Sequence, residues 1–438
     1  MRIRFLLPVM FLSLSFAAMG QEPEKENHFT TDFQFMSRGE YRNGGLAAGE
    51  QSVDDRAAFI IGRSRINFGY ERPHLTTKLS VQHASLWGQS GSGSIAINEG
   101  WAMLSSSPIL DSMVFFAKLG RQVLSYDDER ILGADDWAMT GNTHDAITLG
   151  FNGKMNSLHV MLTYNQNDEN MDFGGTYYAG AFPCKTMQNA WYHFEAPWFP
   201  LGLSLLYMNI GMQAGIAGVN EHVEWQQVAG GYLNFHHEIV SFEGAYYKQS
   251  GKSEKGIKID AWMASAKAKL KPSKYYGFEA GYDFLSGDDY MAVPSAGMIG
   301  LPQHKVIKGF SSIFGSHHKF YGAMDFFYLS TYVNGFTPGL QNAYIGAYTT
   351  PIKGLRVDLS YHYLATSLEL KDMEKTLGHE LEASVSYAIL EDLSLSVGMS
   401  YMTGTRTMEM LKRASDDHNL RWLWVSLNAN PRIFSKIW

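Results

Sequence analysis

Apolar and polar positions alternate with a period of two along much of this chain, which is the pattern of a β-strand whose two faces meet different surroundings. In segment 355–363 the odd-numbered residues are Leu, Val, Leu, Tyr and Tyr, and the even-numbered ones include Arg356, Asp358 and His362. Similar alternation occurs in segments 60–71, 75–82, 276–284 and 393–401. The pattern fits a transmembrane β-barrel, with one face towards lipid and one towards a wet lumen, and it also fits a soluble β-sandwich.

The lengths of the connections favour the barrel. From a first strand near residues 29–42, long and short connections alternate through thirteen strands, the thirteenth lying near 275–285. The long ones include 43–56, 125–144, 166–186 and 211–225, and the short ones include 71–74, 152–157, 195–200 and 237–239. An outer-membrane barrel has short periplasmic turns and long extracellular loops, whereas a sandwich gives no reason for this alternation.

The stretch 286–340 determines the strand count. If 319–330 were a spanning strand, the later short links would lie outside and the total would be odd. If 286–340 is instead one extracellular excursion, five strands follow, near 341–350, 355–365, 379–390, 393–403 and 420–430. We therefore predict an all-β, antiparallel barrel of about eighteen strands, with sixteen as the alternative. A connection this long is usually functional, so we expect part of it to fold into the lumen and narrow the pore.

One uncharged stretch, 199–219, offers a helical alternative, with Gly211 and Gly215 at a small-xxx-small spacing. Its first half nevertheless alternates, with Leu201, Leu203 and Leu205 on one face. We therefore predict a strand followed by a Gly-rich loop over 211–225.

The N-terminus carries an export signal. Arg2 and Arg4 precede an apolar stretch, and Ala18 and Gly20 stand where a signal peptidase requires small residues. We predict a signal peptide over 1–20, a periplasmic segment over 21–28 and the barrel over 29–438. The localisation that follows is the bacterial outer membrane.

The C-terminus ends on an aromatic residue, Trp438, with Phe434 nearby. Such a terminal strand is what the barrel assembly machinery reads, so we expect that machinery as a partner. Pro431 predicts that the last strand ends before it, because proline lacks the N–H that a strand ladder uses.

Composition narrows the function. Only 18% of residues are charged, aromatics reach 14%, and the formal net charge is −7. The sequence shows no basic arm or patch, which argues against nucleic acid as a partner. The single cysteine, Cys184, excludes an intrachain disulfide.

Signals for an enzyme are weak. The segment 91–96 imitates a dinucleotide fingerprint but opens a strand, and the His236-His237-Glu238 and His317-His318 runs lack the spacing of metal ligands on a shared face. We therefore predict no cofactor, no metal site and no catalytic residues. Two alternatives remain: a barrel-embedded lipid hydrolase, with His362 as the candidate base, and a structural barrel.

Period-two parity assigns charged residues to the lumen, where rings of charge and a constriction determine selectivity. The predicted lumenal residues are Arg63, Arg65, Lys78, Lys267, Lys269, Arg356, Glu279, Asp283, Asp358 and Glu380. The guanidinium groups suit carboxylate-bearing solutes. The alternative is that these charges pair across strands and stiffen the wall. We expect the acidic residues of loop 125–144, such as Asp128 and Asp136, to lie outside, where divalent cations and lipopolysaccharide are available.

Several short motifs resemble the alginate export family of outer-membrane proteins. They include Gly120-Arg121-Gln122 with the following Asp128, Arg130, Gly133 and Trp137, the stretch 282–288, the stretch 318–325 and the stretch 377–381. The resemblance implies an eighteen-stranded barrel with a basic lumen that passes anionic polysaccharide outward. It also implies that Arg121 joins the lumenal set, although Lys118 lies on the opposite face of that strand.

The sequence thus predicts a porin-like channel for diffusion or export of polar, anionic solutes or polysaccharide. Its expected partners are outer-membrane lipid and lipopolysaccharide, an anionic sugar or small polar solute, and the assembly machinery.

Overall fold

The structure is a computed structural model that describes residues 26–43, 56–89, 93–109, 112–167, 175–288, 306–328, 337–370, 372–412 and 419–438. The predicted signal peptide lies outside the described residues, as does most of the predicted periplasmic segment.

The described residues form one antiparallel barrel wall of eighteen strands. The first thirteen are β1 (His28–Asn43), β2 (Arg56–Arg72), β3 (Leu75–Leu86), β4 (Ser94–Ser105), β5 (Val114–Gln122), β6 (His144–Asn152), β7 (Asn156–Tyr164), β8 (Cys184–Glu195), β9 (Leu201–Ala214), β10 (His222–His237), β11 (Val240–Lys252), β12 (Lys258–Ser273) and β13 (Tyr276–Leu285). A two-residue strand, β14 (Val306–Ile307), runs parallel to β12. The wall continues with β15 (Leu340–Thr349), β16 (Leu355–Ala365), β17 (Thr376–Leu390), β18 (Leu393–Gly404) and β19 (Asn419–Ala429). The prediction of eighteen strands is confirmed.

The barrel closes through β1, which pairs with β2 on one side and with β19 on the other. A further strand, β20 (Arg432–Ile437), pairs with the first residues of β1 in the same antiparallel sense. The last wall strand, β19, ends at Ala429, before Pro431, as predicted, but the sequence analysis did not predict the short strand β20 that follows the proline. Pairing with β1 resumes beyond the proline. Proline lacks an N–H to donate, but the Pro431 carbonyl still accepts the Phe33 N–H at 3.0 Å.

Side-chain direction alternates along each wall strand as the pattern predicts. In β16 Leu359 points outward and is 51% exposed, whereas His362 and Leu364 point inward and are buried. Outward positions of neighbouring strands carry Leu, Ile, Val, Phe and Tyr, which form the apolar belt that faces lipid. Among the helices of the described ranges, α1 (Arg406–Lys412) and a 3₁₀ turn (His317–Lys319), none has the length and apolarity needed to cross a bilayer.

One predicted boundary needs correction. The strand β9 reaches Ala214 and β10 begins at His222, so the predicted loop 211–225 is shorter than expected. Residues 319–328 form turns rather than a spanning strand, as the parity argument requires.

Two connections fold into the barrel. Segment A (residues 123–143) joins β5 to β6, and segment B (residues 306–328) belongs to the connection between β13 and β15. The two are joined by a bridge between Leu132 and Phe314, with the Gly133 N–H donating to the Phe314 carbonyl at 2.8 Å. Segment A contacts β1, β2 and β3 on one side and reaches β13 and β19 on the other. Segment B contacts β11, β17 and β19, so together they cross the lumen.

The expectation that the acidic residues of loop 125–144 lie outside is therefore wrong. Asp128 pairs with Arg130 of its own segment, and Asp136 pairs with arginines of the wall. These carboxylates neutralise cations inside the barrel.

One part of the lumen is filled by an apolar core that the sequence analysis did not predict. The inward face of β9 carries Leu206, Met208, Ile210 and Met212, each at most 3% exposed. They belong to one buried cluster with Phe310, Phe326 and Phe327, which lie in segment B. Apolar side chains point inward here because segment B, and not water, covers them.

Candidate pore lining

The inner face of β1–β5 is predominantly basic. It carries Arg38, Arg42, Arg63, Arg65, Lys78 and Lys118, with Glu40 and Glu99 among them. The register places Met36 beside Arg63, Gly69 beside Lys78 and Met103 beside Lys118. The cations therefore follow an oblique line along the wall. It starts near the end of β1 at Asn43, which precedes a long connection, and runs towards the end of β5 at Val114, which follows a short one. We call these two ends of the barrel the long-loop side and the short-turn side. We call these six side chains the basic arc.

Acidic partners hold the two ends of the basic arc. Glu40 is bonded by Arg38 and by Arg42, each at 2.8 Å, and its side chain is only 2% exposed. Lys78 forms an ion pair with Glu99, which also accepts a hydrogen bond from Trp101. The ammonium of Lys118 lies 4.0 Å from the centre of the Trp101 ring, a cation–π contact.

The two arginines in the middle of the basic arc bind segment A. Arg63 lies 3.0 Å and Arg65 3.6 Å from the carboxylate of Asp136. Arg63 also donates to the carbonyls of Asp136 and Ala138, each at 3.2 Å. Arg65 additionally donates to the Gln82 side chain. These bonds fix segment A against β2 while leaving Arg63 at the edge of a cavity.

The opposite wall is mixed in charge and more acidic. Lys267 and Lys269 of β12 both bind Glu243 of β11, at 3.3 and 2.7 Å. Arg356 binds Asp358 at 2.6 Å, two residues further along the same strand. The predicted cross-strand ladders therefore exist for the β12 lysines, whereas Arg356 pairs within β16. Glu279 also points inward and lines a cavity with Lys267.

Glu380 and Glu382 of β17 hold segment B through its backbone. Glu380, 1% exposed, accepts the Met324 N–H at 2.9 Å, and Glu382 accepts the Ala323 N–H at 2.6 Å. Gly322 has φ +91°, and a Cβ there would collide with the Glu380 carboxylate. Glycine therefore allows the close approach that both hydrogen bonds need. We call Glu380 and Glu382 the carboxylate clamp.

Arg121 is not part of the lumen lining. It lies on the outward face of β5 with Leu119 and pairs with Asp145 of β6 at 2.6 Å. Lys118, Gly120 and Gln122 occupy the inward positions, and alternate residues of a strand point to opposite faces. The other predicted residues, from Arg63 to Glu380, all point inward.

Sequence reasoning missed several inward residues. Arg38, Arg42 and Glu243 have the same period-two signal as the residues it identified, so parity alone would have found them. Trp137 and Arg130 appeared only in a motif resemblance. Their place in the lumen depends on the inward path of segment A, for which the residues give no local signal.

Three cavities lined by described residues lie beside the two segments. The largest, about 570 Å³, lies on the short-turn side and is lined by Arg63, Trp137, His318 and Lys319, with serine and asparagine side chains of β18 and β19 opposite. The second, about 250 Å³, contacts Asp358, Glu382 and Trp424. The third, about 150 Å³, contacts Lys267, Glu279 and Asp283. Hydroxyl, amide and charged groups therefore line these three cavities together with aromatic and other apolar side chains.

The two segments hold strained backbone. Asp127, Glu129 and Asp135 of segment A and Tyr321 and Asp325 of segment B have φ between +47° and +68°. Non-glycine residues in this left-handed region cost free energy, and they persist where surrounding contacts over-determine them, commonly at functional sites.

The electrostatics of the segments reflect their contacts. Burial alone would raise the pKa of Glu129, but hydrogen bonds from Lys319, Ser125 and Ser316 lower it below its ordinary value. Burial raises the pKa of Asp135, against the attraction of His317 and His318. Within the described ranges, no group of three or more His, Cys, Asp or Glu side chains is arranged to hold a metal ion.

Comparison with known proteins identifies the fold. No family model and no curated protein matches the sequence, so the resemblance to the alginate export family remains one of motifs. Solved outer-membrane channels do match in structure. OccK2 (OpdF) of Pseudomonas aeruginosa, solved in complex with glucuronate, has a TM-score of 0.60 at 11% identity, covering 93% of this chain and 98% of that one. OccAB1 of Acinetobacter baumannii has a TM-score of 0.61 at 11% identity, covering 93% and 97%.

A third, OpdL of Pseudomonas aeruginosa, has a TM-score of 0.59 at 10% identity, covering 93% of this chain and 99% of that one. At this level of identity the likeness concerns the fold. With its closed wall and apolar outer belt, the chain has the eighteen-stranded fold of bacterial outer-membrane porins, and its place is the outer membrane.

Proposed function

We propose that the protein is a channel through which small, anionic, hydroxyl-bearing solutes such as sugar acids diffuse across the outer membrane. The observation that carries the proposal is the basic arc, which descends one wall beside the polar cavities. Guanidinium and ammonium groups attract carboxylates, and a row of them lets an anion move from one site to the next.

Segments A and B narrow the pore in this proposal. They leave cavities of about 570, 250 and 150 Å³, which suit solutes of monosaccharide size. The largest cavity faces serine and asparagine side chains, which bond to hydroxyl groups. A solved channel of the same fold binds glucuronate, which supports a solute of this class.

Export of an anionic polysaccharide such as alginate is a second candidate, based on the Gly120-Arg121-Gln122 motif and its neighbours. Two observations favour small solutes over it. Arg121 faces outward, and the crossing segments obstruct a continuous chain. A polymer would require both segments to leave the lumen.

The contacts of His362 argue against the hydrolase alternative. Its Nδ1 lies 2.9 Å from the Asn342 side-chain oxygen, and its Nε2 lies 3.4 Å from the Glu382 carboxylate. Both ring nitrogens are therefore engaged, and neither is left to activate a serine.

The test is transport by the refolded mature protein. Planar bilayers with a salt gradient measure conductance and ion preference, and liposome swelling compares glucuronate with glucose and glucosamine, which are similar in size. We expect a conducting pore that prefers anions and admits glucuronate fastest. A cation-selective pore, or equal swelling rates for all three sugars, would overturn the proposed selectivity, and absence of conductance would overturn the channel itself.

A further inference from the structure

Of the described residues, His318 alone lines all three cavities. The cavities of about 570 and 250 Å³ meet at His318 and Trp424, and the cavities of about 570 and 150 Å³ meet at His318 and Lys319. His318 thus lies where the three cavities adjoin one another.

His318 is held rigidly at this position. Its ring stacks on Trp137 with centroids 4.0 Å apart and planes 11° apart. Its Nδ1 lies 2.8 Å from the Asp325 carboxylate, and its edge meets Trp422. The carboxylate clamp fixes Ala323 and Met324, a few residues further along segment B.

Trp137 is fixed from its other face. The Arg38 guanidinium carbon lies 3.7 Å from the centre of the Trp137 ring. Two groups this close to one ring centre cannot share a face, so Arg38 and His318 lie on opposite faces of the indole. Arg38 also donates to the Trp137 carbonyl at 3.1 Å. A three-layer stack of Arg38, Trp137 and His318 therefore links the wall to both segments.

We propose that His318 is the partition residue of this pore: its ring, held by Trp137 and Asp325, separates the short-turn-side cavity from the two smaller ones and limits what passes between them. The inference rests on the proposed channel function. The partition works through the size and rigidity of the ring, because it is the stacked side chain that occupies the junction.

The test compares single-channel conductance of wild type with three variants. In His318→Ala the ring is removed, and we expect conductance to rise about twofold or more, because the narrowest section limits a pore. In His318→Phe the ring and the stack remain, and we expect conductance near that of wild type. His193→Ala is the matched control, because His193 also stacks on a tryptophan, Trp191, at 6° between planes, and lies away from the three cavities.

A second measurement covers the case in which His318→Ala fails to fold. His318→Cys in a Cys184→Ser background is treated with a bulky methanethiosulfonate reagent during recording. We expect the current to fall after modification, whereas the Cys184→Ser parent stays unchanged.

The outcomes separate the two proposals. A conducting wild type with an unchanged His318→Ala variant and no reagent effect would overturn the partition and leave the channel standing. A silent wild type with a conducting His318→Ala variant would support the partition and overturn the open channel. Silence of both folded proteins would overturn both.

Discussion

Arg130 of segment A and Asp283 of β13 form an ion pair of 3.2 Å in which both side chains are nearly buried, at 6% and 2% exposed. Arg130 also donates to the Tyr321 hydroxyl at 2.9 Å, so one guanidinium joins segment A, segment B and the wall. The pair anchors the two segments that narrow the lumen of the barrel.

We expect Asp283→Asn to destabilise the folded barrel by about 1.5–3 kcal/mol, because the buried Arg130 loses one of its two carboxylate partners and keeps only Asp128. Urea unfolding from lipid bilayers, followed by tryptophan fluorescence, measures the change. Asp145→Asn is the control, because Arg121 and Asp145 form an outward, half-exposed pair whose loss costs at most about 1 kcal/mol. Equal effects of the two substitutions would contradict the anchoring role of Arg130.

Neutralising the basic arc should weaken anion preference. We expect Arg65→Gln combined with Lys78→Gln to shift the reversal potential in a salt gradient towards cations, because two cations leave the lumen while Glu99 and Asp136 remain. Arg121→Gln removes one positive charge from the outer face and should leave the reversal potential unchanged. If Arg121→Gln changes selectivity as much as the double substitution, the assignment of faces on β5 is wrong.

Loosening the carboxylate clamp should increase the fluctuations of the single-channel current. In Glu382→Ala the Ala323 N–H loses its acceptor, which costs about 1–3 kcal/mol if the group stays buried. Segment B would then fluctuate, and we expect noisier single-channel current. Asp358→Ala is the control, because Asp358 pairs with Arg356 on its own strand. A quiet Glu382→Ala channel would show that the clamp does not hold segment B in place.

The contact between the segments should weaken only in acid. The folded-state pKa of Glu129 is lowered below 4.5, so its ionised form stabilises the contact above that pH, and the contribution disappears as pH falls through the folded pKa. We expect current noise of wild type to increase below pH 4.5. In Glu129→Gln the noise should already be present at neutral pH. A wild-type channel that becomes noisy only on raising the pH would contradict this sign.

The wall of the barrel was predictable from sequence because strand geometry is local. Side chains of alternate residues point to opposite faces, so the period-two pattern identified the faces of Arg63, Lys78 and Asp283 without any tertiary information. The expected position of Arg121 was wrong because it came from resemblance to other proteins and not from the period-two pattern of its own strand, in which Lys118 occupies the inward face.

The filling of the lumen was decided by tertiary structure alone. Whether a long loop lies outside or folds inward depends on contacts between residues far apart in the chain, such as Asp136 with Arg63, or Met324 with Glu380. No short-range period records such contacts.

The sequence by itself thus predicted about eighteen strands, with sixteen as the alternative, and which side chains of those strands face inward, because the alternation follows from the backbone geometry of single strands. The tertiary structure decided where segments A and B run, which inward charges are neutralised, and that His318 meets Trp137 inside the pore, because those depend on which distant groups satisfy one another's charge and hydrogen bonds.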